Sequence, residues 1–393
     1  MMQDKAKAKK RVMLMVPLLD QGGLERVCAL TAQLLKDKCE LCLVVFSTKN
    51  MLYDVTGVDL IDLNLGSVPS KIGKVFNVFR RVRAVKKIKR QRKIEIAYSF
   101  GTTANLVNVL SKTRDKVWIG LRSHEAIADT NRMKKIFCKA DKMVCCAKVM
   151  ADEMREAYPD KDIACLYNPF DLARIEEMEN EPLSEEHERF FDSDAPVIVS
   201  VGRADDLKGF WHLLKSLYFI KEEIPETKVV IVGDGDYSIY EKLASDLGIR
   251  EQVLFTGVQK NPFKYVKRSD VYALTSRAEG FPNAMVEAMA VGIAVMSVNC
   301  KTGPAEILAD DYKRVQDQHQ VHEGEYGILL PVVDPIRNLD PTDFEEGERV
   351  FANEFIKLIR DEERLKKLAE EAKKRSRNYA MESYLTSILE MME

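Results

Sequence analysis

The stretch Val271–Val298, VYALTSRAEGFPNAMVEAMAVGIAVMSV, contains a complete strand, loop, helix and strand. Val271–Leu274 and Ile293–Val298 are short apolar runs of the kind that buried strands form. A helix from Asn283 to Ala290 is predicted between them, because Pro282 suits the first helical turn, where a backbone N–H is not needed. Two strands joined through a helix indicate a parallel sheet.

The same alternation of apolar runs and helical patterns extends over most of the 393-residue chain. It breaks at Tyr167–Asp171 and restarts at Pro196, after an acidic stretch. Because the chain is too long for one ordinary core, we predict an α/β protein with two Rossmann-like, doubly wound domains that face a cleft. We place the first domain at residues 1–168 and the second at residues 169–376, with a C-terminal helix near residues 377–393 that packs back on the first.

Charge is unevenly distributed between the two halves. Residues 1–165 carry 32 Lys and Arg against 18 Asp and Glu, whereas the remainder has a net charge of −16. We therefore expect the first domain to face something anionic.

The longest nearly apolar run, Ala288–Val298, is too short to span a bilayer, and we expect no signal peptide. Cys39 and Cys42 have C-x-x-C spacing without a second pair, which favours buried thiols in a cytoplasmic protein over a metal site.

A strongly basic segment, Lys71–Lys93, holds eleven Lys and Arg and no acidic residue. Its apolar residues recur at helical spacing, which predicts an amphipathic helix: Ile72, Val75, Phe76, Phe79 and Val82. Such a helix can lie on an anionic membrane with its cations at the headgroups. A solvated basic face over an ordinary core stripe is one alternative; nucleic-acid binding is another, but no motif supports it. The predicted membrane-facing residues are Lys71, Lys74, Arg80, Arg81, Arg83, Lys86, Lys87, Lys89 and Arg90.

Candidate ligand-binding residues of the second domain follow its predicted strands, because ligands bind at the carboxyl ends of parallel strands. Gly202, Arg203 and Lys208 follow the first strand, and two cations there would neutralise a diphosphate. Glu279 is expected at a strand tip and Glu287 about one turn inside the next helix, so that two carboxylates accept hydrogen bonds from one elongated ligand. The alternatives are a solvated loop for the cations and for Glu279, and a core arginine as the partner of Glu287.

The first domain offers weaker candidates. Gly22 and Gly23 lie between its first strand and first helix, where free backbone N–H groups suit an anion; a plain turn is the alternative. His124 follows another predicted strand and faces the expected cleft, although a single histidine is often structural. In the second domain, Asp234-Gly235-Asp236 has the D-x-D pattern of metal-dependent sugar transfer, but turn glycines after a buried strand indicate no metal site.

Together these segments resemble the retaining glycosyltransferases of family 4, which have the GT-B fold. The resemblance covers most of the chain through the motifs QGGLERV, NPFD, VGRADDLKGF, IVGDGD, EGFPNAMVE, TGPAEIL and YGILLPVVD. It implies a hexosyltransferase without a bound metal or other cofactor and with a UDP-sugar as donor. It also implies transfer of a hexose or N-acetylhexosamine to a glycan on a polyprenyl diphosphate. The enzyme would then be cytoplasmic and peripheral on the inner face of the plasma membrane.

The resemblance also implies roles for individual residues. Arg203 and Lys208 hold the donor diphosphate, Glu279 and His124 contact the transferred sugar, and Glu287 contacts the nucleotide ribose. These residues other than Glu287 form the implied catalytic set. The remaining implied donor-binding residues are Gly22, Gly23, Gly202, Gly280, Phe281, Pro282 and Asn283. A sugar-nucleotide epimerase or hydrolase on the same fold is the alternative activity, and a binding protein without turnover is a third possibility.

Overall fold

The computed structural model describes residues 9–20, 22–123, 138–316 and 319–393. The chain divides into two compact units. Unit 1 comprises Met1–Pro169 and Met381–Glu393, and unit 2 comprises Phe170–Ala380. The first crossing therefore lies one residue beyond the predicted boundary at 168/169, and the chain returns to unit 1 at Met381.

Unit 1 is built on a seven-stranded parallel sheet. In chain order its elements are β1 (Arg11–Val16), α1 (Gly23–Leu35), β2 (Glu40–Val45), β3 (Asp59–Asp62), α2 (Lys71–Gln91), β4 (Ile96–Phe100), α3 (Thr102–Leu110), β5 (Lys116–Leu121), β6 (Lys142–Cys145), α4 (Lys148–Ala157) and β7 (Asp162–Cys165). The strand order is β3-β2-β1-β4-β5-β6-β7, so the winding direction reverses between β1 and β4. Such a reversal marks the switch point where ligands bind in open parallel sheets.

Both faces of this sheet are buried, which explains why its strands are continuous apolar runs. In β1, Val12 and Leu14 belong to the core on one face, whereas Met13 and Met15 belong to the core on the other. The C-terminal helix, which follows unit 2 in the chain, adds Tyr384, Ile388 and Met392 to the first of these cores. Unit 1 is thus completed by residues from the far end of the chain.

Unit 2 repeats this architecture with a second seven-stranded sheet. Its elements are α5 (Leu172–Met178), α6 (Glu185–Phe190), β8 (Val197–Val201), α7 (Phe210–Glu223), β9 (Lys228–Val232), α8 (Ser238–Asp246), β10 (Val253–Phe255), α9 (Phe263–Val266), β11 (Val271–Leu274), α10 (Asn283–Val291), β12 (Ala294–Val298), α11 (Pro304–Leu308), β13 (His322–Gly324), β14 (Gly327–Leu330), α12 (Glu346–Arg360) and α13 (Glu362–Ser376); α14 (Met381–Met392) is the helix in unit 1. The order β10-β9-β8-β11-β12-β14-β13 reverses between β8 and β11, and only the β13–β14 pair is antiparallel among the named strands of this sheet.

These two doubly wound sheets confirm the predicted fold class. Within Val271–Val298, β11 and β12 lie side by side in parallel, and the helix between them ends one residue later than predicted, at Val291. Edge strands β3 and β13 were missed in the sequence. Their residues, DLID and HEG, are mostly polar and only partly buried, so they lack the apolar run that marks an interior strand.

Helix α2 directs an unusual set of residues toward the interior of unit 1. Asn77, Arg81, Val85 and Lys89, spaced four apart, are its buried residues. The Arg81 guanidinium lies 4.3 Å from the centroid of the Phe46 ring, and its Nε donates to a backbone carbonyl at 2.8 Å. The prediction that Arg81 and Lys89 face a membrane was wrong, because both side chains have partners inside unit 1.

Lys89 and Asp115 form an ion pair with both side chains fully buried, Nζ to Oδ2 2.8 Å. Lys89 Nζ also donates to the side-chain oxygen of Asn108 at 2.7 Å. Burial lowers the pKa of Lys89, and the nearby Asp115 offsets only part of this effect. Burial alone would raise the pKa of Asp115, but Lys89 and Thr113 outweigh it and hold that pKa below its ordinary value.

Replacing Asp115 with asparagine is expected to lower the free energy of unfolding by about 2–3 kcal/mol at neutral pH, because it leaves a buried cation uncompensated. A depressed carboxyl pKa stabilises the fold above the unfolded pKa, and this stabilisation is lost as pH falls through the folded pKa. The difference between wild type and Asp115→Asn should therefore shrink below about pH 4. Urea unfolding at several pH values measures it, and an equal difference at all pH values would contradict the ion pair's role.

Candidate active site

Four loops of unit 2 follow parallel strands and meet near the switch point between β8 and β11. They are residues 202–209 after β8, 233–236 after β9, 275–282 after β11 and 299–303 after β12. Backbone hydrogen bonds join the first loop to its neighbours: Ala204 N donates to Asp234 O at 2.7 Å, and Arg277 N donates to Leu207 O at 2.9 Å. Most residues predicted to bind the donor therefore lie at one edge of one sheet.

Two glycines permit these loops to approach so closely. Gly233 has φ 155°, and any side chain at this position would overlap the carbonyl oxygen of Gly202. Gly209 has φ 60°, and a side chain there would overlap the carbonyl oxygen of Thr275. Packing between loops thus requires Gly209 of VGRADDLKGF and Gly233 of IVGDGD even before any ligand is considered.

Lys208 and Glu279 form an ion pair across two of the loops, with 2.7 Å between Nζ and Oε1. Their side chains remain 24% and 12% exposed, so a ligand can still reach them. Burial alone would lower the pKa of Lys208, but the Glu279 carboxylate outweighs it and raises that pKa. Lys208 is therefore a stable cation at neutral pH, in contact with the carboxylate that was predicted to bind the sugar.

Two threonines hold the backbone of this pair. Thr275 Oγ1 donates to the carbonyl of Lys208 at 2.9 Å, and Thr302 Oγ1 donates to the carbonyl of Glu279. Neither threonine stood out in the sequence, although Thr302 lies in the motif TGPAEIL. A hydroxyl residue in the loop after a parallel strand was the available signal, since it can bond the neighbouring loop without disturbing the sheet; Thr275 directly follows β11, and Thr302 lies four residues after the end of β12.

Glu287 lies on α10 and is only 7% exposed. Burial, and then the carboxylates of Glu279 and Glu287, raise the pKa of the Tyr272 phenol on β11. Both glutamates thus act on the same buried phenol, which relates them in space as the eight-residue spacing in EGFPNAMVE suggested. The Tyr272 hydroxyl has no hydrogen-bond partner among the residues that the structure describes.

The other predicted donor-binding residues of unit 2 differ in accessibility. The Arg203 side chain is 74% exposed and pairs with Asp205 at 3.3 Å, so it is not brought to the Lys208–Glu279 pair. Gly202 packs against the Lys208 side chain. Gly280, Phe281 and Pro282 are buried, and Asn283 begins α10 half-buried.

In unit 1, Gly22 follows β1 as the N-cap of α1, and Gly23 is the first residue of that helix. The Tyr53 hydroxyl donates to Gly22 O at 2.8 Å and accepts from Gly22 N at 3.3 Å. The Glu25 carboxylate folds back over Gly22, where it occupies space beside the start of α1. An anion bound there would have to displace this carboxylate. His124 lies outside the described residues.

The D-x-D segment has structural roles. Asp236 accepts a hydrogen bond from Ser238 N at 2.9 Å at the start of α8, and this bond lowers its pKa. Within the described ranges, one group of three possible metal ligands comes together: His212, Glu345 and Glu348. His212 Nδ1 lies 2.9 Å from Glu348 Oε1, and Glu345 and Glu348 form a capping box at the start of α12. The hydrogen-bonding groups of these residues are therefore used within the cap at the start of α12.

The C-x-x-C cysteines are buried thiols. Cys39 and Cys42 are 5% and 2% exposed, and neither is in a disulfide. Burial raises the pKa of Cys39 to about 11 and that of Cys42 to about 12. Thiols held protonated in this way are poor metal ligands.

Helix α2 exposes the apolar residues that would ordinarily face a core. Ile72, Val75, Phe76 and Phe79 are 85%, 73%, 63% and 63% exposed, and we refer to these four residues as the apolar face of α2. Exposed cations flank it along the helix: Lys71, Lys74, Arg80, Arg83, Lys87 and Arg90, with Lys86 half-buried. In the part of the chain that the structure describes, no helix has the length and apolar character needed to cross a bilayer.

Known proteins resemble this chain in sequence and in fold. Residues 184–324 match the family model "Glycosyl transferases group 1". An uncharacterized glycosyltransferase of Methanocaldococcus jannaschii is 31% identical over 222 residues, which are 56% of this chain and only about half, 54%, of that protein's length. A Campylobacter jejuni enzyme, N-acetylgalactosamine-N,N'-diacetylbacillosaminyl-diphospho-undecaprenol 4-alpha-N-acetylgalactosaminyltransferase, is 26% identical over 80% of this chain and 84% of its own.

Among solved structures, Anabaena HepE in complex with UDP superposes with a TM-score of 0.74 at 16% identity and covers 97% of this chain and 99% of its own. Sucrose-phosphate synthase from Thermosynechococcus elongatus superposes with a TM-score of 0.73 at 14% identity, over 98% of both chains. This chain therefore has the GT-B fold, and residues 184–324 are similar to the group 1 glycosyl transferases.

Proposed function

We propose that the chain is a retaining, metal-independent hexosyltransferase that uses a UDP-sugar. Its acceptor is a glycan on a polyprenyl diphosphate, and it works at the inner face of the plasma membrane. The contact between Lys208 and Glu279 at the switch point of unit 2 carries this proposal. It supplies a cation for a diphosphate and a carboxylate for sugar hydroxyls within one small region.

The reaction breaks the bond between the anomeric carbon and a phosphate oxygen, and negative charge accumulates on the departing diphosphate. Lys208 stabilises that charge because its raised pKa keeps it protonated. Glu279 accepts hydrogen bonds from the sugar, and Glu287 accepts them from the ribose. The acceptor oxygen forms the new bond to the anomeric carbon from the same face, and its proton passes to the leaving phosphate. No protein nucleophile takes part in this sequence.

The choice of substrates draws support from the similar proteins. The name of the Campylobacter jejuni enzyme specifies an undecaprenol-linked diphosphate acceptor, and Anabaena HepE was solved with UDP. A polyprenyl-linked acceptor is confined to a membrane. The apolar face of α2 and its flanking cations suit contact with an anionic bilayer, because apolar side chains enter the interface while cations meet the headgroups.

Calorimetry with UDP, GDP, ADP and CDP in the presence of a metal chelator tests the donor half of this proposal. UDP is expected to bind with the highest affinity, and binding that requires added Mg²⁺ or Mn²⁺ would contradict the metal-independent mechanism. A panel of UDP-sugars with mass detection then identifies the sugar that is transferred. Donor turnover that is equally fast without acceptor would favour an epimerase or hydrolase instead.

Replacing Glu279 with glutamine is expected to change binding and transfer in opposite directions. The variant removes the carboxylate that pairs with Lys208, so UDP should bind about threefold to tenfold more tightly. The sugar loses a charged hydrogen-bond acceptor, so transfer should slow by about tenfold. Calorimetry with UDP and initial rates with the identified donor measure the two effects, and weaker UDP binding in the variant would contradict the competition for Lys208.

A further inference from the structure

The ring of Phe281 is enclosed by two aromatic residues from distant parts of the sequence. Phe281 is 6% exposed, and its ring centroid lies 6.4 Å from that of Phe170 and 5.5 Å from that of Tyr379. The Tyr379 ring meets Phe281 edge-on, at an interplanar angle of 64°. Edge-to-face and tilted contacts at these distances are favourable and directional, so they fix the orientation of Phe281.

Phe170 and Tyr379 stand where the chain passes between its two units. Phe170 is the first residue of unit 2, and Tyr379 lies one residue before its last, Ala380. Within unit 2, Phe170 N donates to Tyr379 O at 3.0 Å, and Phe170 pairs with Ala380 in an isolated parallel bridge. The outgoing and returning segments are thus joined by backbone hydrogen bonding, and both contribute a ring to the same contact.

Phe281 is separated from Glu279 by a single residue, Gly280. Glu279 itself is held by the Thr302 hydroxyl at its backbone carbonyl and by Lys208 at its carboxylate. The rings therefore complete the support of a short buried loop. A shift of Phe281 pulls on the peptide between Glu279 and Gly280, whose carbonyl accepts the hydrogen bond from Thr302.

We propose that Phe170 and Tyr379 are positioning residues, which act through Phe281 to set the place of the Glu279 carboxylate. The chain segments that contain Phe170 and Tyr379, at the two ends of unit 2, would then support the loop of residues 275–282. The inference rests on the proposed function for its effect on catalysis, but the support of the loop itself is a property of unit 2 alone. Neither residue needs to contact the donor.

Hydrogen exchange followed by mass spectrometry tests the support directly on the full-length protein, with and without UDP. In Tyr379→Leu, the amides of Glu279, Gly280 and Phe281 should exchange about fivefold to tenfold faster, because the leucine retains apolar bulk but not the ring contact. Peptides from β8 and β9 should exchange as in wild type. Tyr379→Phe keeps the ring and loses only the hydroxyl, which lies 3.5 Å from Glu306 O, and should match wild type.

Transfer kinetics with the identified UDP-sugar supply the second readout. Tyr379→Leu should lower kcat about tenfold and leave the donor KM within about twofold, because misplacing one sugar-binding group affects the transition state more than nucleotide binding. Phe170→Leu removes the other ring that contacts Phe281 and should give the same faster loop exchange and lower kcat. The test therefore does not depend on the folding of a single variant. A wild type that transfers no sugar refutes the proposed function, while the exchange result still decides the loop support.

The positioning role is overturned by any of three results. The first is exchange of the loop amides at the wild-type rate in both leucine variants. The second is equally accelerated exchange throughout unit 2, which would indicate general destabilisation. Finally, an impaired Tyr379→Phe variant would assign the effect to the hydroxyl and its contact with Glu306, and not to the ring.

Discussion

Replacing Lys208 with alanine is expected to weaken UDP binding by about 100-fold to 1,000-fold. The change removes the cation that we propose binds the diphosphate, and it also leaves the Glu279 carboxylate without the partner that lies 2.7 Å away. That carboxylate then repels the diphosphate, so loss of attraction and new repulsion act in the same direction. Calorimetry with UDP at constant ionic strength measures the affinity directly.

Lys242→Ala is a matched control for this experiment. Lys242 also belongs to unit 2 and pairs with a carboxylate, Asp246 at 2.6 Å, but its side chain is 75% exposed on the helix surface. An exposed pair of this kind contributes little, so the control should bind UDP as wild type does. If Lys208→Ala binds UDP within about threefold of the control, the diphosphate does not rely on Lys208.

The double change Lys208→Ala with Glu279→Gln separates the two contributions. If repulsion by an unpaired Glu279 accounts for part of the loss, Glu279→Gln should raise UDP affinity in the Lys208→Ala background by more than the about threefold to tenfold expected in wild type. A larger gain in that background identifies electrostatic coupling between the two side chains across their loops. Independent effects that simply add would show that the pair in the free protein is not retained when nucleotide is bound.

The fold was predictable because parallel sheets buried on both faces leave a strong local pattern. Each interior strand of Val271–Val298 is a short apolar run. The helix between them begins after a proline and ends at Val291, just before Gly292, whose φ of 93° is typical of the residue that caps a helix C-terminus. Edge strands such as β3 lack this pattern, because one side of an edge strand meets solvent or loops. Their positions follow from pairing with β2 or β14, which is information from distant residues.

The positions of candidate site residues were predictable where the sheet topology fixes the backbone. They were less predictable where a side chain has several possible hydrogen-bond or ion-pair partners. Lys208 and Glu279 each follow a parallel strand, so their meeting at one edge follows from topology. Arg203 follows the same strand as Lys208, yet its side chain is exposed and pairs locally with Asp205. The hydrogen bond from the Thr302 hydroxyl to the Glu279 carbonyl depends on how the loop after β12 is placed against the loop after β11. No local sequence pattern specifies that placement.

Helix α2 shows why composition alone misassigns individual charges. All of its cations look alike in the sequence, but Arg81 and Lys89 occupy the i, i+4 row that faces the core of unit 1. Each finds a specific acceptor there, which compensates the cost of burial. The apolar face of α2 lies on a different side of the helix and is exposed. This is the reverse of an ordinary surface helix, whose apolar residues face the core and whose charged residues face solvent.

Replacing the apolar face of α2 with glutamine, at Ile72, Val75, Phe76 and Phe79 together, is expected to weaken binding to anionic vesicles by about 100-fold to 1,000-fold. Each of these side chains is mostly exposed in the protein, so inserting it at the membrane interface contributes about 1 kcal/mol. Glutamine is a good helix former, so α2 itself should persist, and circular dichroism and thermal unfolding should match wild type. Sedimentation with vesicles containing phosphatidylserine measures the loss.

Val258, Val321 and Ile336 are the matched control, since they are exposed apolar residues of unit 2, at 54%, 38% and 73%. Their replacement by glutamine should leave vesicle binding unchanged, which excludes a general effect of reduced surface hydrophobicity. Raising salt from about 0.1 M to about 1 M shortens the screening length from about 10 Å to about 3 Å, so it should weaken binding through the cations that flank the apolar face. Equal sedimentation of wild type and the α2 variant at both salt concentrations would assign this face to another partner, because apolar insertion and headgroup attraction would then both be absent.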